Sequence, residues 1–89
     1  MQKSRETEKI LKALANRRRL AIVYFLQKKG RATPGGISEE IKLSFKATSK
    51  HLGILFATDL VDREQFGLRV DYYLTRPLHH IVRATLEAL

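Results

Sequence analysis

The sequence predicts one domain of the mainly helical α+β class, with a small two-stranded antiparallel β-hairpin. Three observations indicate this: apolar residues recur every three to four positions, N-cap residue types precede these stretches, and one later stretch alternates apolar with polar residues. The predicted order is α-α-α-α-β-β-α over 1–89. With 89 residues and 44% hydrophobic content, the chain can bury one modest core, so a single domain is expected.

The first two predicted helices occupy the N-terminal third. Apolar residues at helical spacing predict a first helix over about 4–15, with a narrow apolar stripe. Asn16 is a preferred N-cap type, and the apolar run 20–26 predicts a second helix that Gly30 ends. Because this run is apolar on every side of a helix, we expect the second helix at the centre of the core.

The third and fourth helices form a predicted helix-turn-helix over about 34–57. Thr33 and Pro34 are typical of an N-cap and a first helical residue, and Ser44 is the expected N-cap after a turn at Lys42. One arc of the fourth helix holds Phe45, Thr48, Leu52, Leu55 and Phe56, and the opposite arc holds Lys46, Ser49, Lys50 and Gly53. We expect Phe45 to anchor the helix in the core. The cationic face is either solvated or free to lie in a groove of DNA.

The hairpin and one more helix complete the chain. Strands are predicted at 60–65 and 69–74, where Val70, Tyr72 and Leu74 alternate with polar neighbours, and 66–68 is the turn. The whole hairpin spans about 60–74. Thr75 is expected to cap the last helix, at about 76–89.

The charge of the chain points toward polyanions. The formal net charge is +8, and all of this excess lies in 1–33, where ten Lys and Arg face two Glu. The remainder holds seven residues of each sign, but Lys42, Lys46 and Lys50 form a basic run with no acid between them.

Composition and spacing exclude several other functions. There is no cysteine, so disulfides, thiolate metal sites and thiol redox switches are excluded. No stretch approaches the roughly 20 apolar residues of a membrane span, and no apolar signal core follows Met1, so we expect a soluble cytoplasmic protein without membrane contact. Gly35 and Gly36 lack phosphate-loop spacing. Ser49 and His51 lie on separate helix faces, so no enzyme is expected.

Three motifs resemble the ArsR/SmtB family of winged helix-turn-helix transcription regulators. Residues 11–20, LKALANRRRL, are similar to its opening signature L-x-A-L-[AS]-[DN]-x-x-R-[LI]. Residues 44–52 resemble its recognition helix, S-x-x-[TA]-x-S-x-H-L, and residues 67–75 its wing, G-x-x-x-x-Y-x-L-T. The resemblance covers about 10–75, and the motifs occur in the family's order and spacing.

The resemblance implies a homodimeric repressor that binds double-stranded operator DNA. The implied recognition-helix contacts are Ser44, Lys46, Ala47, Ser49, Lys50 and His51, and the implied wing contacts are Arg63, Gln65 and Arg69. Lysine and arginine suit this role because they neutralise phosphates and donate to guanine edges. Arg17, Arg18 and Lys42 are candidates for further phosphate contacts. His51 is alternatively a structural hydrogen-bonding residue.

The family pairs through its first and last helices, which implies a dimer surface here. Its predicted members are Ile10, Leu14, Leu78, Ile81, Val82, Leu86 and Leu89. The alternative is that the stripe on the last helix closes the core of a single chain. The rival function is a winged-helix protein-interaction module in a transcription-related assembly.

The chain departs from the family at the known metal sites. No cysteine lies in the helix after Thr33, where the thiolate sensors have theirs. When the family's zinc motif D-x-H-x10-H-x2-[EH] is placed on His79, Pro77 takes the position of the Asp, and the second His falls beyond Leu89. His79 and His80 are therefore expected to be polar residues of a surface or interface helix. We expect no metal and no cofactor, and no small-molecule effector can be identified.

Overall fold

The computed structural model describes residues 2–89 and contains five helices and three strands. The elements in chain order are α1 (Gln2–Leu14), α2 (Arg17–Lys29), β1 (Arg31–Ala32), α3 (Pro34–Ile41), α4 (Phe45–Ala57), β2 (Val61–Phe66), β3 (Arg69–Leu74) and α5 (His80–Ala88). The predicted helices and hairpin are confirmed in their predicted order. None of these helices is long and apolar enough to cross a membrane.

Side-chain caps begin the helices where the sequence predicted them. Asn16 Oδ1 accepts the backbone N–H groups of Arg18 and Arg19 at 2.9 and 3.1 Å. Thr33 Oγ1 accepts Gly36 N–H, and Ser44 Oγ accepts Ala47 N–H, each at 3.1 Å. These bonds satisfy amides that the helices themselves leave without partners, and they define the starts of α2, α3 and α4.

Residues with positive φ follow α2 and both helices of the helix-turn-helix, α3 and α4, which together are called the HTH unit. Gly30 follows α2 with φ 94°, and its N–H donates to Leu26 O at 2.8 Å. Lys42, at φ 55°, turns the chain between α3 and α4, and Asp59, at φ 60°, turns it after α4. Asp tolerates this backbone region better than most residues. α4 ends at Ala57, as predicted.

The sheet has one strand more than the sequence predicted. β2 and β3 pair antiparallel from Val61↔Leu74 to Phe66↔Arg69, so Phe66 ends a strand and the turn contains only Gly67 and Leu68. β1 pairs with the other edge of β3, which gives the order β1-β3-β2. A two-residue strand is too short to show any periodicity, so the sequence pattern could not reveal it.

The core is centred on α2, as predicted. Ile22, Val23 and Leu26 are fully buried, and α2 packs against α1, α3, α4 and the strands β1 and β3. Ile37 of α3 and Leu55 of α4 fill the same core. The two helices of the HTH unit are therefore held on one rigid support.

The last helix begins later than predicted. Thr75 does not cap it; its N–H donates to Leu60 O at 3.2 Å and continues the pairing of the sheet. The proline at 77 disfavours helical backbone at the residue before it, and α5 starts at His80. His79 is the N-cap, and its Nδ1 accepts the N–H of Ile81 at 3.1 Å.

Candidate nucleic-acid interface

α4 presents a cationic face to solvent. Thr48, Leu52 and Leu55 are buried on its inner side, whereas Lys46 and Lys50 are exposed on the outer side. Neither lysine has an acidic partner within ion-pair distance in the described part of the chain. The predicted contact residues Ser44 and Ser49 are exposed on the same helix, and Ala47 and His51 are half-buried. The outer face of α4 therefore offers unneutralised positive charge beside small polar groups.

Phe45 does not anchor α4 in the core, so that prediction was wrong. Its side chain is 60% exposed. The residue points along the arc of Thr48 and Leu52, but it is the first residue of the helix. A shared arc determines the direction of a side chain but not whether core residues extend far enough to cover it. At the leading end of α4 the aromatic ring lies in solvent.

His51 joins α4 to the end of α1 through Arg19. The Arg19 guanidinium donates to Ala13 O and to Lys12 O (3.3 Å) at the end of α1, and its Nη1 lies 3.2 Å from His51 Nδ1. Because a guanidinium has only donors, Nδ1 must be the unprotonated nitrogen and Nε2 carries the proton. Burial, and then the charges of Arg19, Lys50 and Arg18, lower the pKa of His51 below its ordinary 6.5. The expected structural hydrogen bond of His51 is present, and it needs the neutral imidazole.

Two predicted wing residues line a groove between the hairpin and the HTH unit. The Arg63 guanidinium carbon lies 4.3 Å from the centre of the Phe56 ring, and Nη1 donates to Tyr72 Oη at 3.3 Å. Gln65 Nε2 donates to Gly67 O at 3.0 Å and closes the tip of the hairpin. Pro34 at the start of α3 lines the same groove. Arg63 is therefore held against the last turn of α4.

The third predicted wing residue, Arg69, is tied into an ion-pair cluster on the other face of the hairpin. Its Nε donates to Oδ1 of the buried Asp71 at 2.9 Å. Arg31 of β1 lies 3.7 Å from Asp71 Oδ2, donates to Glu64 Oε1 at 3.2 Å and stacks 5.1 Å from the centre of the Tyr73 ring. Sequence reasoning missed Arg31, because only the pairing of β1 with β3 brings it to the hairpin.

The three candidate phosphate contacts are in different settings. Lys42 is exposed in the turn between α3 and α4. Arg18 is half-buried, and its Nη1 donates to Ile41 O at 3.5 Å. Arg17 is exposed and borders an apolar groove that Tyr24 and Leu89 also line. Of these residues, Lys42 lies within the HTH unit itself, whereas Arg17 borders the apolar surface near the end of α5.

The predicted dimer surface must be revised. Ile10, Leu14 and Val82 are buried in the core of the single chain, so they cannot form an exposed contact surface. The reason is that α1 and α5 turn their inner faces onto this chain's own core, a possibility that helical periodicity alone leaves open. Leu78, Ile81 and Leu86 are partly buried against the same core. The exposed apolar residues near this part of the chain are Leu11, Tyr24 and Leu89.

The paired histidines lie at the start of α5. Their rings stack with centroids 4.4 Å apart, and His79 Nε2 lies 3.9 Å from Glu6 Oε1. His79 Nδ1 is already occupied as the cap of α5. Within 2–89, no three His, Asp or Glu side chains come together in an arrangement that could hold a metal ion.

Comparison with known proteins places this geometry in a family. The profile of the bacterial regulatory proteins of the arsR family matches residues 16–63, which is more than half of the chain. The chain belongs to the ArsR family. It is a winged helix-turn-helix, DNA-binding transcriptional regulator. No curated protein sequence is a significant match.

Solved structures of other regulators superpose on nearly the whole of this ArsR-family chain. Reduced HlyU from Vibrio cholerae N16961 is 33% identical with a TM-score of 0.83, over 99% of this chain and 88% of that one. NolR from Sinorhizobium fredii is 28% identical with a TM-score of 0.84, over 98% and 83%. The homodimeric winged helix-turn-helix DNA-binding domain of Mb0332 from Mycobacterium bovis is 25% identical with a TM-score of 0.81, over 93% and 74%.

Proposed function

We propose that this ArsR-family chain is a homodimeric repressor that recognises a two-fold symmetric DNA site in the cytoplasm. The observation that carries the proposal is the exposure of Lys46 and Lys50 on α4, opposite the buried side of that helix, with no acidic partner for either lysine among the described residues. A helix presented in this way enters the major groove, and the hairpin beside it reaches the adjoining backbone. The rival protein-interaction function is not favoured, because family membership supports DNA binding.

Within this function, the contacts divide by chemistry. Lys42, Lys46 and Lys50 neutralise phosphates or donate to guanine edges, and Ser44 and Ser49 donate to phosphate or base oxygens. Arg63 contributes a further charge from the wing. Arg69 contributes less than the sequence implied, because the Asp71 carboxylate already compensates its guanidinium.

We assign the dimer surface to the exposed apolar residues Leu11, Tyr24 and Leu89, together with the outer sides of Leu78, Ile81 and Leu86. Support comes from their exposure and from the homodimeric state of the similar Mb0332 domain. Two-fold pairing would place the two copies of α4 about one helical turn of DNA apart, near 34 Å.

DNA selection together with a matched pair of variants tests this function. Duplexes selected from a random pool should share a palindromic consensus, and the logarithm of affinity should fall linearly with the logarithm of salt concentration. Lys50→Ala should weaken binding about fivefold to tenfold and reduce the salt slope by about one. Lys29→Ala removes an exposed lysine outside the HTH unit and the wing, and should have little effect. An empty selection, or equal effects of the two variants, would contradict the proposal.

A second measurement tests the dimer. Sedimentation at micromolar concentration should give a dimer, and Leu89→Glu should give a folded monomer, because the added carboxylate would be desolvated in the interface. A monomeric wild-type protein would contradict the assigned surface.

A further inference from the structure

We propose that Phe45 is a specificity-determining residue that contacts the 5-methyl group of a thymine in each half of the DNA site. The inference rests on the proposed insertion of α4 into the major groove. It is drawn from the one aromatic side chain of α4 that is largely exposed.

The position of Phe45 suits a contact with base edges. It is the first residue of α4, and the N-terminal residues of a recognition helix are those that reach the bases. The hydrogen bond from Ala47 N–H to Ser44 Oγ holds this end of the helix in one conformation. The ring is therefore held on a preorganised helix start, next in sequence to Lys46, the proposed DNA contact.

Phe45 belongs neither to the buried core nor to the partly buried residues packed against it. Its side chain is 60% exposed, whereas Thr48, one turn further along the same arc, is fully buried. Exposure of a large aromatic ring at the leading end of a cationic helix does not help solubility, and more than half of the Phe45 surface stays in contact with water. The exposed part of its apolar surface would be removed from water when a partner is bound.

The chemistry of the ring limits which base it can favour. A phenyl ring has no hydrogen-bond donor to match the N7, O6 or O4 acceptors of the bases and no acceptor for the amino groups of cytosine and adenine. The 5-methyl group of thymine is the apolar group that the major groove displays. Phe45 should therefore favour a thymine over a cytosine at its position and disfavour bases whose polar edges it would desolvate.

Replacing thymine by uracil in the selected duplex tests this contact, because the two bases differ only by the methyl group. Wild-type protein should lose about fourfold in affinity for each contacted thymine that is replaced, one in each half-site, because each replacement removes one buried methyl group worth about 0.8 kcal/mol. Phe45→Ala should bind more weakly and bind the thymine and uracil duplexes equally at that position. Phe45→Leu, which keeps an apolar side chain, should restore part of the difference.

Lys46→Ala is the matched control, since it changes the neighbouring exposed residue of the same helix. It should weaken binding to both duplexes and leave the fourfold preference for thymine intact. Melting temperatures of the three variants equal to that of the wild-type protein would show that the exposed substitutions leave the fold unchanged.

Two outcomes would overturn the inference, and they differ in what they mean for DNA binding. Salt-dependent, sequence-selective binding with no thymine-to-uracil effect, or with the same effect in Phe45→Ala, would overturn the role of Phe45 alone. Failure of the wild-type protein to select any duplex would overturn the proposed function and the role of Phe45 together.

Discussion

Arg19 is the side chain whose removal should most weaken the link between α1 and the recognition helix. Arg19→Met keeps the aliphatic stem and removes the guanidinium, which donates to Ala13 O, Lys12 O and His51 Nδ1. A hydrogen bond from a charged donor contributes about 1.5–3 kcal/mol when it is well shielded. The bond to Lys12 O is exposed, and the bonds to Lys12 O and His51 are longer than 3.1 Å, so each of these two contributes only about 0.5 kcal/mol, against about 2 kcal/mol for the bond to Ala13 O.

Together these contacts predict a loss of about 3 kcal/mol in the free energy of unfolding. This is a large share of the ~5–15 kcal/mol typical of a folded domain. Urea unfolding followed by circular dichroism measures it, with both proteins at the same concentration because dimerisation adds to apparent stability.

Arg17→Met is the control for this experiment. Arg17 lies in the same first turn of α2, so both substitutions remove the same unfavourable interaction with the helix dipole. None of the side-chain hydrogen bonds among the described residues involves Arg17. In the Leu89→Glu background, where the apolar groove that Arg17 borders is not part of an interface, its loss should change stability by less than about 0.5 kcal/mol, and Arg19→Met is compared in the same background. If Arg19→Met were no more destabilising than Arg17→Met, the proposed link through Arg19 would be refuted.

Three further predictions concern stability. Thr48→Val should raise the free energy of unfolding by about 1 kcal/mol in urea denaturation, because the buried Oγ1 has no hydrogen-bond partner in the described chain. A loss of about 1 kcal/mol instead would mean that Oγ1 does have a hydrogen-bond partner. The pKa of His51 is lowered in the folded chain, so as pH falls through 6.5 the unfolded chain binds more protons than the folded chain. The free energy of unfolding therefore decreases as pH falls through this range. His51→Asn keeps an acceptor for Arg19 and should flatten this part of the stability–pH curve, and an unchanged slope would assign it to other groups. In thermal melts, Gly30→Ala should lower the free energy of unfolding by about 1 kcal/mol or more, because Gly30 has φ 94°. Gly53→Ala should raise it by about 0.5–1 kcal/mol, because Gly53 lies on the exposed side of α4 with open space around it. The reverse order of stability would contradict both assignments.

The ends of the helices were predictable because their causes are local. Asn16, Thr33 and Ser44 each accept backbone N–H groups two or three residues further along the chain. Such a bond depends only on the residue type and its short spacing from the helix, both of which are visible in the sequence. The left-handed turn at Asp59 also has a local cause, because an Asp side chain tolerates that backbone region.

The candidate interface was predictable only in part. The cationic face of α4 followed from the spacing of Lys46 and Lys50, and the structure exposes both. Periodicity also placed Phe45 on the buried arc, and this was wrong because an arc does not show where the core ends. Thr75 was misplaced as a cap because its N–H pairs instead with Leu60, a residue fifteen positions earlier in the chain.

By itself, the sequence determined the helix starts, the hairpin, the cationic face of α4 and the family to which the chain belongs, because each depends on residues that are close together in the chain. Only the tertiary structure decided that Phe45 is exposed, that Ile10 and Leu14 are buried, and that Arg31 joins Asp71 across the sheet. These features depend on which surfaces meet when distant segments pack, and the spacing of residues along the chain does not encode that directly.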